Sequence, residues 1–489
     1  MRMSRYLVTI GLEIHCQVKT ASKMFCSCAV EYGAEPNTRV CPVCLGLPGA
    51  LPALNREAIR LSILAGLMFG CRIPEVTTWD RKNYFYPDMP KNYQLSQLHA
   101  PVCQGGEVGL DRLHFPNDFQ KQAPEGKVVR LDHIHLEEDV GKSTHYENNS
   151  LIDFNRAGTP LMEIVTEPDM ESAEEAVALL NALRQNLIYG GVSDADMEKG
   201  QLRCDVNISL RPPGQKELGA KIELKNLNSI SAVRRAIHHE IERQSAELDA
   251  GIPQVQSTRR WDDDAGETTL LRTKEDAHDY RYLPDPDLPA VETAELLAAA
   301  RRDVPELPHH KRQRFTDAYG ITPYDAGVLA ADRALADWFE QAASAAPAGA
   351  KKTANWVINE LLARLNADSL HAEQCPVSPQ RFAALVDLVS SGGVSQNQGK
   401  EILDAMFAGD AASPEAIAAA RGFEQVSDSS SIEPFVDQVL AEFPDKVEEW
   451  KQGNAKVGNW LTGQVMRHSK GKANPRVVSE MLRSRAGLE

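Results

Sequence analysis

Apolar and polar residues alternate with a period of two in several stretches of the first 290 residues, as in half-buried strands. The clearest stretch runs from Arg203 to Arg211, where odd positions are polar and even positions, from Cys204 to Leu210, are apolar. The alternation resumes over Lys221–Lys225 after a turn that contains Pro212, Pro213 and Gly214. The two stretches are therefore predicted to pair as a hairpin.

Apolar residues recur at helical spacing in three other segments, Glu57–Phe69, Glu171–Ile188 and Ser231–Ala250, which are predicted to be scaffold helices. Beyond the proline-rich segment 284–289, the chain becomes alanine-rich and keeps a helical period. These patterns predict an α+β protein of three domains: an N-terminal domain with a mixed or antiparallel sheet over 1–292, a helical domain over 293–408 and a small helical tail over 409–489.

Composition describes a folded chain, with 42% hydrophobic and 25% charged residues in 489. No apolar run reaches the roughly 18 residues that span a bilayer, and the N-terminus resembles neither a signal nor a transit peptide, so we expect a cytoplasmic protein without a membrane partner. The net charge of −16 argues against coating a nucleic acid with the whole surface.

The C-terminal tail has the opposite sign of charge. From Lys451 to Glu489 there are eight Lys and Arg against two Glu, a net of +6. A local basic patch of this kind suits a nucleic-acid backbone, and a solvated helical face is the alternative. The candidate nucleic-acid-binding residues are Lys456, Arg467, Lys470 and Lys472.

Four of the nine cysteines form two close pairs, Cys26 with Cys28 and Cys41 with Cys44, separated by twelve residues. Two short pairs of soft ligands joined by a loop predict a structural zinc site, although the first pair is one residue tighter than usual. Two pairs of ordinary buried thiols are the alternative.

Carboxylates recur on the predicted strands of the N-terminal domain. Glu13 and His15 lie two residues apart and therefore share a strand face. Carboxylates that converge on a sheet repel one another unless a cation holds them, and hard oxygen ligands select magnesium, while a histidine ligand would favour manganese. The other members are Glu137, Glu138, Asp139, Glu163, Glu167, Asp169, Asp205 and Glu223.

The loop Arg81–Gln97 interleaves aromatics such as Tyr84 with Lys82 and Lys91. This composition suits stacking on a nucleotide and neutralisation of its phosphates, and a packed, proline-bracketed loop is the alternative. The chain contains no P-loop, no Gly-x-Ser-x-Gly elbow and no dinucleotide fingerprint. Any ATP site must therefore use another cradle.

Nine blocks together resemble the B subunits of the aspartyl/glutamyl-tRNA amidotransferases, the GatB/GatE family, over essentially the whole chain. The blocks are Ile10–His15, Asp80–Asp88, Leu136–His145, Asp153–Asp169, Arg203–Asn207, Lys221–Ser229, Thr258–Trp261, Tyr280–Pro289 and Gly458–Arg467.

The resemblance implies a cradle-like kinase domain followed by two all-α domains, the last of which binds tRNA. It implies ATP-dependent phosphorylation of the side-chain carboxylate of Glu-tRNA(Gln), Asp-tRNA(Asn) or both, and then amidation with ammonia. The ammonia would come from the amidase of a heterotrimer, its A subunit, with the small C subunit as the third member. An association with the cognate nondiscriminating synthetase is a further expectation. The resemblance also implies that ATP is a substrate, that Mg²⁺ is required and that the zinc cysteines vary within the family.

By the same resemblance, the catalytic and magnesium-binding residues are expected to be Glu13, His15, Glu138 and Glu163. Candidates for substrate or ATP binding are Lys82, Tyr84, Asp205, Glu223 and Lys225. The alternative function is a noncatalytic, zinc-stabilised subunit that positions tRNA for a partner enzyme.

Overall fold

The computed structural model describes residues 5–273, 279–423, 429–469 and 473–488. The chain divides into two compact units, Met1–Leu307 and Pro308–Glu489. The first unit is built on a mixed sheet and the second is helical, which confirms the predicted α+β class.

The strands of the first unit are, in chain order, β1 (Leu7–Gln17), β2 (Val76–Thr77), β3 (Asp80–Asn83), β4 (Tyr93–Ser96), β5 (Cys103–Gln104), β6 (Glu107–Gly109), β7 (Val128–Glu138), β8 (Lys142–His145), β9 (Ser150–Asp153), β10 (Pro160–Thr166), β11 (Leu202–Arg211), β12 (Ile222–Leu227), β13 (Ser257–Asp262), β14 (Glu267–Thr273), β15 (Leu283–Pro284) and β16 (Val291–Glu292). Among the described residues, nine of them form the main sheet in the order β14-β13-β12-β11-β1-β10-β7-β5, with β6 also on β7. Neighbours on this path pair antiparallel except β12 and β13, and β11 with β12 confirms the predicted hairpin.

Four helices accompany this sheet: α1 (Arg56–Met68), α2 (Ala173–Tyr189), α3 (Ile230–Asp249) and α4 (Ala294–Asp303). The first three confirm the helices predicted from periodicity, and each begins where a side chain caps it. Ser229, for example, accepts a hydrogen bond from the backbone N–H of Ala232 at 3.0 Å. The apolar face of the sheet, including Leu12, Ile14 and Val206, is buried in one core with these helices. Hydrophobic burial therefore fixes which face of each strand is left for polar residues.

The second unit holds α5 (Pro308–Tyr319), α6 (Pro323–Leu329), α7 (Arg333–Ala345), α8 (Ala350–Trp356), α9 (Leu362–Ala367), α10 (Pro379–Ser390), α11 (Gln396–Phe407), α12 (Pro414–Ala420), α13 (Ser429–Glu442), α14 (Pro444–Lys451), α15 (Ala455–His468) and α16 (Pro475–Ala486). One core gathers α5 to α12 and a separate core gathers α13 to α16. In the first unit, α4 packs against α1, although α4 lies beyond residue 292, the predicted end of the N-terminal domain. The division into three domains, with boundaries after residues 292 and 408, stays a prediction.

In the part of the chain that the structure describes, every helix is too short or too polar to cross a lipid bilayer.

Candidate active site

The polar face of the main sheet brings together acidic and histidine side chains from five adjacent strands. Glu13 of β1 lies opposite Asp205 of β11 and His15 lies opposite Glu163 of β10. Glu163 in turn lies opposite His135 of β7. Because side chains two apart on a strand share a face, the register alone places these groups above one another on the half-buried side of the sheet.

A compact group of three possible metal ligands lies on β1, β7 and β10: His15, Glu137 and Glu163, with ligand atoms within 4.8 Å of one another. The Nε2 atoms of His15 and His135 each lie 3.2 Å from Oε2 of Glu163. Glu137 is 2% exposed, and its Oε2 has no hydrogen-bond donor among the described residues, with His135 Nε2 at 3.8 Å. A buried carboxylate oxygen without a donor is costly, so a cation fits this group.

The charges within this group shift the pKa values of its members. Burial lowers the pKa of His135, but the neighbouring carboxylates of Glu163 and Glu137 together outweigh burial and raise that pKa to about 9. Burial also opposes the charged form of His15, whose pKa is nevertheless raised by its hydrogen bond to Glu163. Burial would raise the pKa of Glu163, yet the two imidazoles hold it well below its ordinary value. Protons and a metal ion therefore compete for the same lone pairs.

A second acidic group, Glu13, Asp205 and Glu223, is partly neutralised by Lys225. Its ligand atoms also lie within 4.8 Å of one another. The ammonium of Lys225 lies 2.5 Å from Asp205 Oδ2 and 2.9 Å from Glu223 Oε1. The amide of Asn207 donates to Glu13 at 2.9 Å. Because Lys225 occupies the place between two of its carboxylates, a protein cation already offsets part of the charge of this group.

Lys82 and Tyr84 extend from β3 and the loop after it toward the acidic group. The ammonium of Lys82 lies over the ring of Tyr280 at 5.1 Å. Burial lowers the pKa of Lys82, but the charges of Glu137 and neighbouring groups outweigh burial, and the pKa is raised. Burial, with Glu137 and Glu138 nearby, raises the pKa of Tyr84. A cation and an aromatic side chain therefore flank the carboxylates, an arrangement compatible with binding a phosphorylated ligand.

Glu138 points to the other face of β7 and does not join either acidic group. It is 3% exposed and pairs with the ammonium of Lys91, and its Oε1 accepts the backbone N–H of Leu95 at 3.0 Å. Neighbouring residues on a strand face opposite sides. Glu137 therefore occupies the position beside His15 and Glu163 at which the resemblance led us to expect Glu138.

The four cysteines Cys26, Cys28, Cys41 and Cys44 converge, with sulfur atoms within 4.8 Å of one another. Cys41 and Cys44 Sγ are 3.9 Å apart, close to the separation of about 3.8 Å expected for Zn–S bonds of 2.3 Å in a tetrahedron. A hydrogen bond from Cys26 lowers the pKa of Cys44 to about 4, and the ammonium of Lys23, 3.6 Å from Cys44 Sγ, acts in the same direction. The donor set fits a closed zinc site.

Comparisons with known proteins cover both units. Residues 8–298 match the GatB/GatE catalytic domain, and residues 337–485 match the GatB domain. The chain is 52% identical over 480 residues to the B subunit of the aspartyl/glutamyl-tRNA(Asn/Gln) amidotransferase of Methylacidiphilum infernorum, covering 98% of both chains.

This chain belongs to the GatB/GatE family.

Other relatives agree with this assignment over their full length. The B subunit of the amidotransferase of the same name from Persephonella marina is 48% identical, covering 97% of this chain and 98% of its own. That of Myxococcus xanthus is 44% identical and covers both chains completely. The catalytic-domain match of this GatB/GatE chain contains the acidic groups and the cysteine cluster.

In the GatB domain of this family member, the predicted tRNA-binding residues Lys456 and Arg467 are exposed on α15. Trp460 is 40% exposed on the same helix. Positions 456, 460 and 467 lie on one face, because they are four and seven residues apart. The other two candidates, Lys470 and Lys472, lie outside the described residues.

Two members of the site of this GatB/GatE chain were not chosen as catalytic or magnesium-binding residues from the sequence: Glu137, which was counted only among the converging carboxylates, and His135, which was not singled out. Their signal was present in the alternation of β7, where His133, His135 and Glu137 alternate with Ile134 and Leu136. Since the apolar pair must face the core, Glu137 rather than Glu138 belongs on the polar face.

Proposed function

We propose that this chain is the subunit of a tRNA-dependent amidotransferase that activates the side-chain carboxylate of Glu-tRNA(Gln), Asp-tRNA(Asn) or both with ATP. Ammonia from a glutaminase subunit would then displace phosphate and give the amide. The observation that carries the proposal is the group of His15, Glu137 and Glu163 with an unpartnered buried oxygen, inside the segment that matches the catalytic domain. Full-length similarity to amidotransferase B subunits supports the reaction class.

The polar face of the main sheet carries the groups that phosphorylation of a carboxylate requires. A carboxylate is a poor acceptor for ammonia, and phosphorylation gives it a good leaving group. A divalent cation such as Mg²⁺, held by His15, Glu137 and Glu163, would supply positive charge for the phosphoryl oxygens. Lys82 offers a further positive charge beside these carboxylates, and Tyr84 and Tyr280 offer aromatic surfaces for a nucleotide. Glu13 and the rest of its group, which Lys225 partly neutralises, would border the acceptor carboxylate.

We propose two further parts of this function. Zinc at the four cysteines would stabilise the loop between β1 and α1 and take no part in the reaction. The exposed face of α15 would bind the tRNA, with Lys456 and Arg467 on phosphates and Trp460 on a base. The partners in the cytoplasm would be the glutaminase subunit, together with a small third subunit, and an association with the cognate nondiscriminating synthetase is a further expectation.

The experiment uses the complete amidotransferase complex with γ-labelled ATP, a misacylated tRNA and no ammonia donor. The wild type should place label on the aminoacyl group, and Glu137→Gln should abolish this transfer because it removes a metal ligand. Glu147→Gln is the matched control, since Glu147 is an exposed residue of the β8–β9 turn. Failure of the wild type to transfer label, with tRNA binding intact, would favour the noncatalytic tRNA-positioning subunit.

A further inference from the structure

Arg203 is a positively charged residue on the polar face that no part of the proposed function uses. It lies on β11 directly opposite His15 of β1. Its side chain is 39% exposed, and the charge of Glu137 acts on its guanidinium. Arg203 therefore borders the group that would hold the cation, on the side of β1 away from β10.

The guanidinium is held in place by a buried carboxylate. Asp139, directly after β7, is 2% exposed, and its Oδ1 accepts a hydrogen bond from Nη2 of Arg203 at 2.9 Å. The same carboxylate accepts hydrogen bonds from the backbone N–H of Val140 and the amide of Gln17, both at 2.9 Å. A buried acceptor with several donors restricts where the arginine can lie.

Arg156 is a second arginine beside Asp139, and it serves here as a structural comparison for Arg203. Arg156 Nε is 3.6 Å from Asp139 Oδ1, and its donors go to the backbone carbonyl oxygens of Val140 and Gly141, both at 2.9 Å. Arg203 differs, because its Nε is buried and has no acceptor among the described residues. Arg211 Nε lacks an acceptor in the same way, but Arg211 lies opposite Leu7, at the far end of β1 from His15. Buried donors are normally satisfied, so the unpaired N–H of Arg203, which lies beside the charged site, indicates that a ligand completes it there.

We propose that Arg203, oriented by Asp139, binds the oxygens of the phosphoryl group during its transfer. A guanidinium offers a planar set of donors that fits phosphoryl oxygens, which a carboxylate-rich face would otherwise repel. The inference rests on the proposed function. In the step concerned, a carboxylate oxygen of the aminoacyl group forms a bond to the γ-phosphorus. The bond from that phosphorus to the β–γ bridging oxygen breaks, ADP leaves with the electron pair, and no proton is transferred.

The test measures single-turnover phosphoryl transfer by the complex that carries Arg203→Ala. We expect a loss on the order of 10²–10³-fold, as for removal of one positioned donor to a developing charge. Added guanidinium, below denaturing concentrations, should restore at least tenfold of that loss, whereas urea should not. Arg211→Ala is the matched control on the same strand and face. Arg211 has the same unpaired Nε and donates through Nη1 to the backbone carbonyl of Lys216, but it lies opposite Leu7 and away from His15, so Arg211→Ala should stay within twofold of wild type.

Each outcome of this experiment either supports or overturns the proposed role of Arg203. Activity of Arg203→Ala within twofold of wild type overturns it, and so does a loss that guanidinium does not restore in a variant with wild-type melting temperature. If Arg203→Ala fails to fold, Arg203→Gln, which keeps an amide donor for Asp139, replaces it under the same criteria. A wild type without phosphoryl transfer refutes the proposed function itself, whereas an active wild type with unaffected variants refutes the role of Arg203 alone.

Discussion

The pair formed by Lys91 and Glu138 gives a prediction that separates scaffold from active site. Replacing Lys91 with Met keeps most of the side-chain volume but leaves the buried Glu138 carboxylate with the Leu95 N–H, 3.0 Å away, as its remaining donor in the described structure. Removing one partner of a buried ion pair lowers the free energy of unfolding by about 3–5 kcal/mol. Because the Leu95 N–H still donates to the carboxylate, we expect a loss of about 3 kcal/mol here. The ammonium also loses its position 5.6 Å from the ring centroids of Phe25 and Tyr93.

Thermal unfolding of the purified complex should show this loss as a fall of roughly 6–12 °C in the transition of the first unit, at about 2–4 °C per kcal/mol for large domains. Combining Lys91→Met with Glu138→Gln should cost less than the sum of the two single changes, because the uncompensated charge disappears. Mn²⁺ binding should be retained in Glu138→Gln and lost in Glu137→Gln. The reasoning is refuted if Glu138→Gln loses Mn²⁺ at an unchanged melting temperature, since that would put Glu138 in the metal site.

Three further predictions concern other parts of the molecule. Although burial lowers it, the pKa of His135 is raised to about 9 by Glu163 and Glu137 together, so its stabilising contribution is complete below pH 6.5 and is lost as the pH rises toward 9. Without metal, the melting temperature should fall over this range by an amount equivalent to about 3 kcal/mol, and a flat profile in wild type would contradict the assignment. Cys44→Ser should lose about one equivalent of zinc by metal analysis and melt earlier, and full zinc content would contradict the site. Lys456→Ala with Arg467→Ala should weaken tRNA binding and reduce the slope of affinity against salt by about two phosphate contacts, and identical salt series would count against the face on α15.

Sequence reasoning predicted those parts of the fold that depend on local pattern. The strand Leu202–Arg211 and the helices α1, α2 and α3 were predictable because burial of one face imposes a period of 2 or 3.6. The cysteine cluster was predictable from spacing alone, since two short loops bring four thiols together. The packing of α4 on α1 was not, because a short alanine-rich helix carries no record of its partner.

The site shows where local pattern stops being sufficient. Glu137 and Glu138 are adjacent in sequence and chemically identical, and the register of β7 against β10 decides which one faces Glu163. The alternation around Ile134 and Leu136 predicts that Glu137 lies on the polar face with Glu163, whereas the resemblance alone does not distinguish Glu137 from Glu138. The orientation of Arg203 depends on its hydrogen bond to Asp139, which lies 64 residues away, and no sequence pattern could indicate it.

The central claim is that this face of the sheet activates a carboxylate by phosphorylation. The most direct measurement uses misacylated tRNA whose glutamyl or aspartyl side-chain carboxylate carries ¹⁸O, with the complete complex, ATP and glutamine. Our account predicts that the inorganic phosphate released on amidation contains one ¹⁸O atom from the carboxylate and that ADP is the other product. Label in AMP, or phosphate without ¹⁸O from an amidating complex, would contradict it.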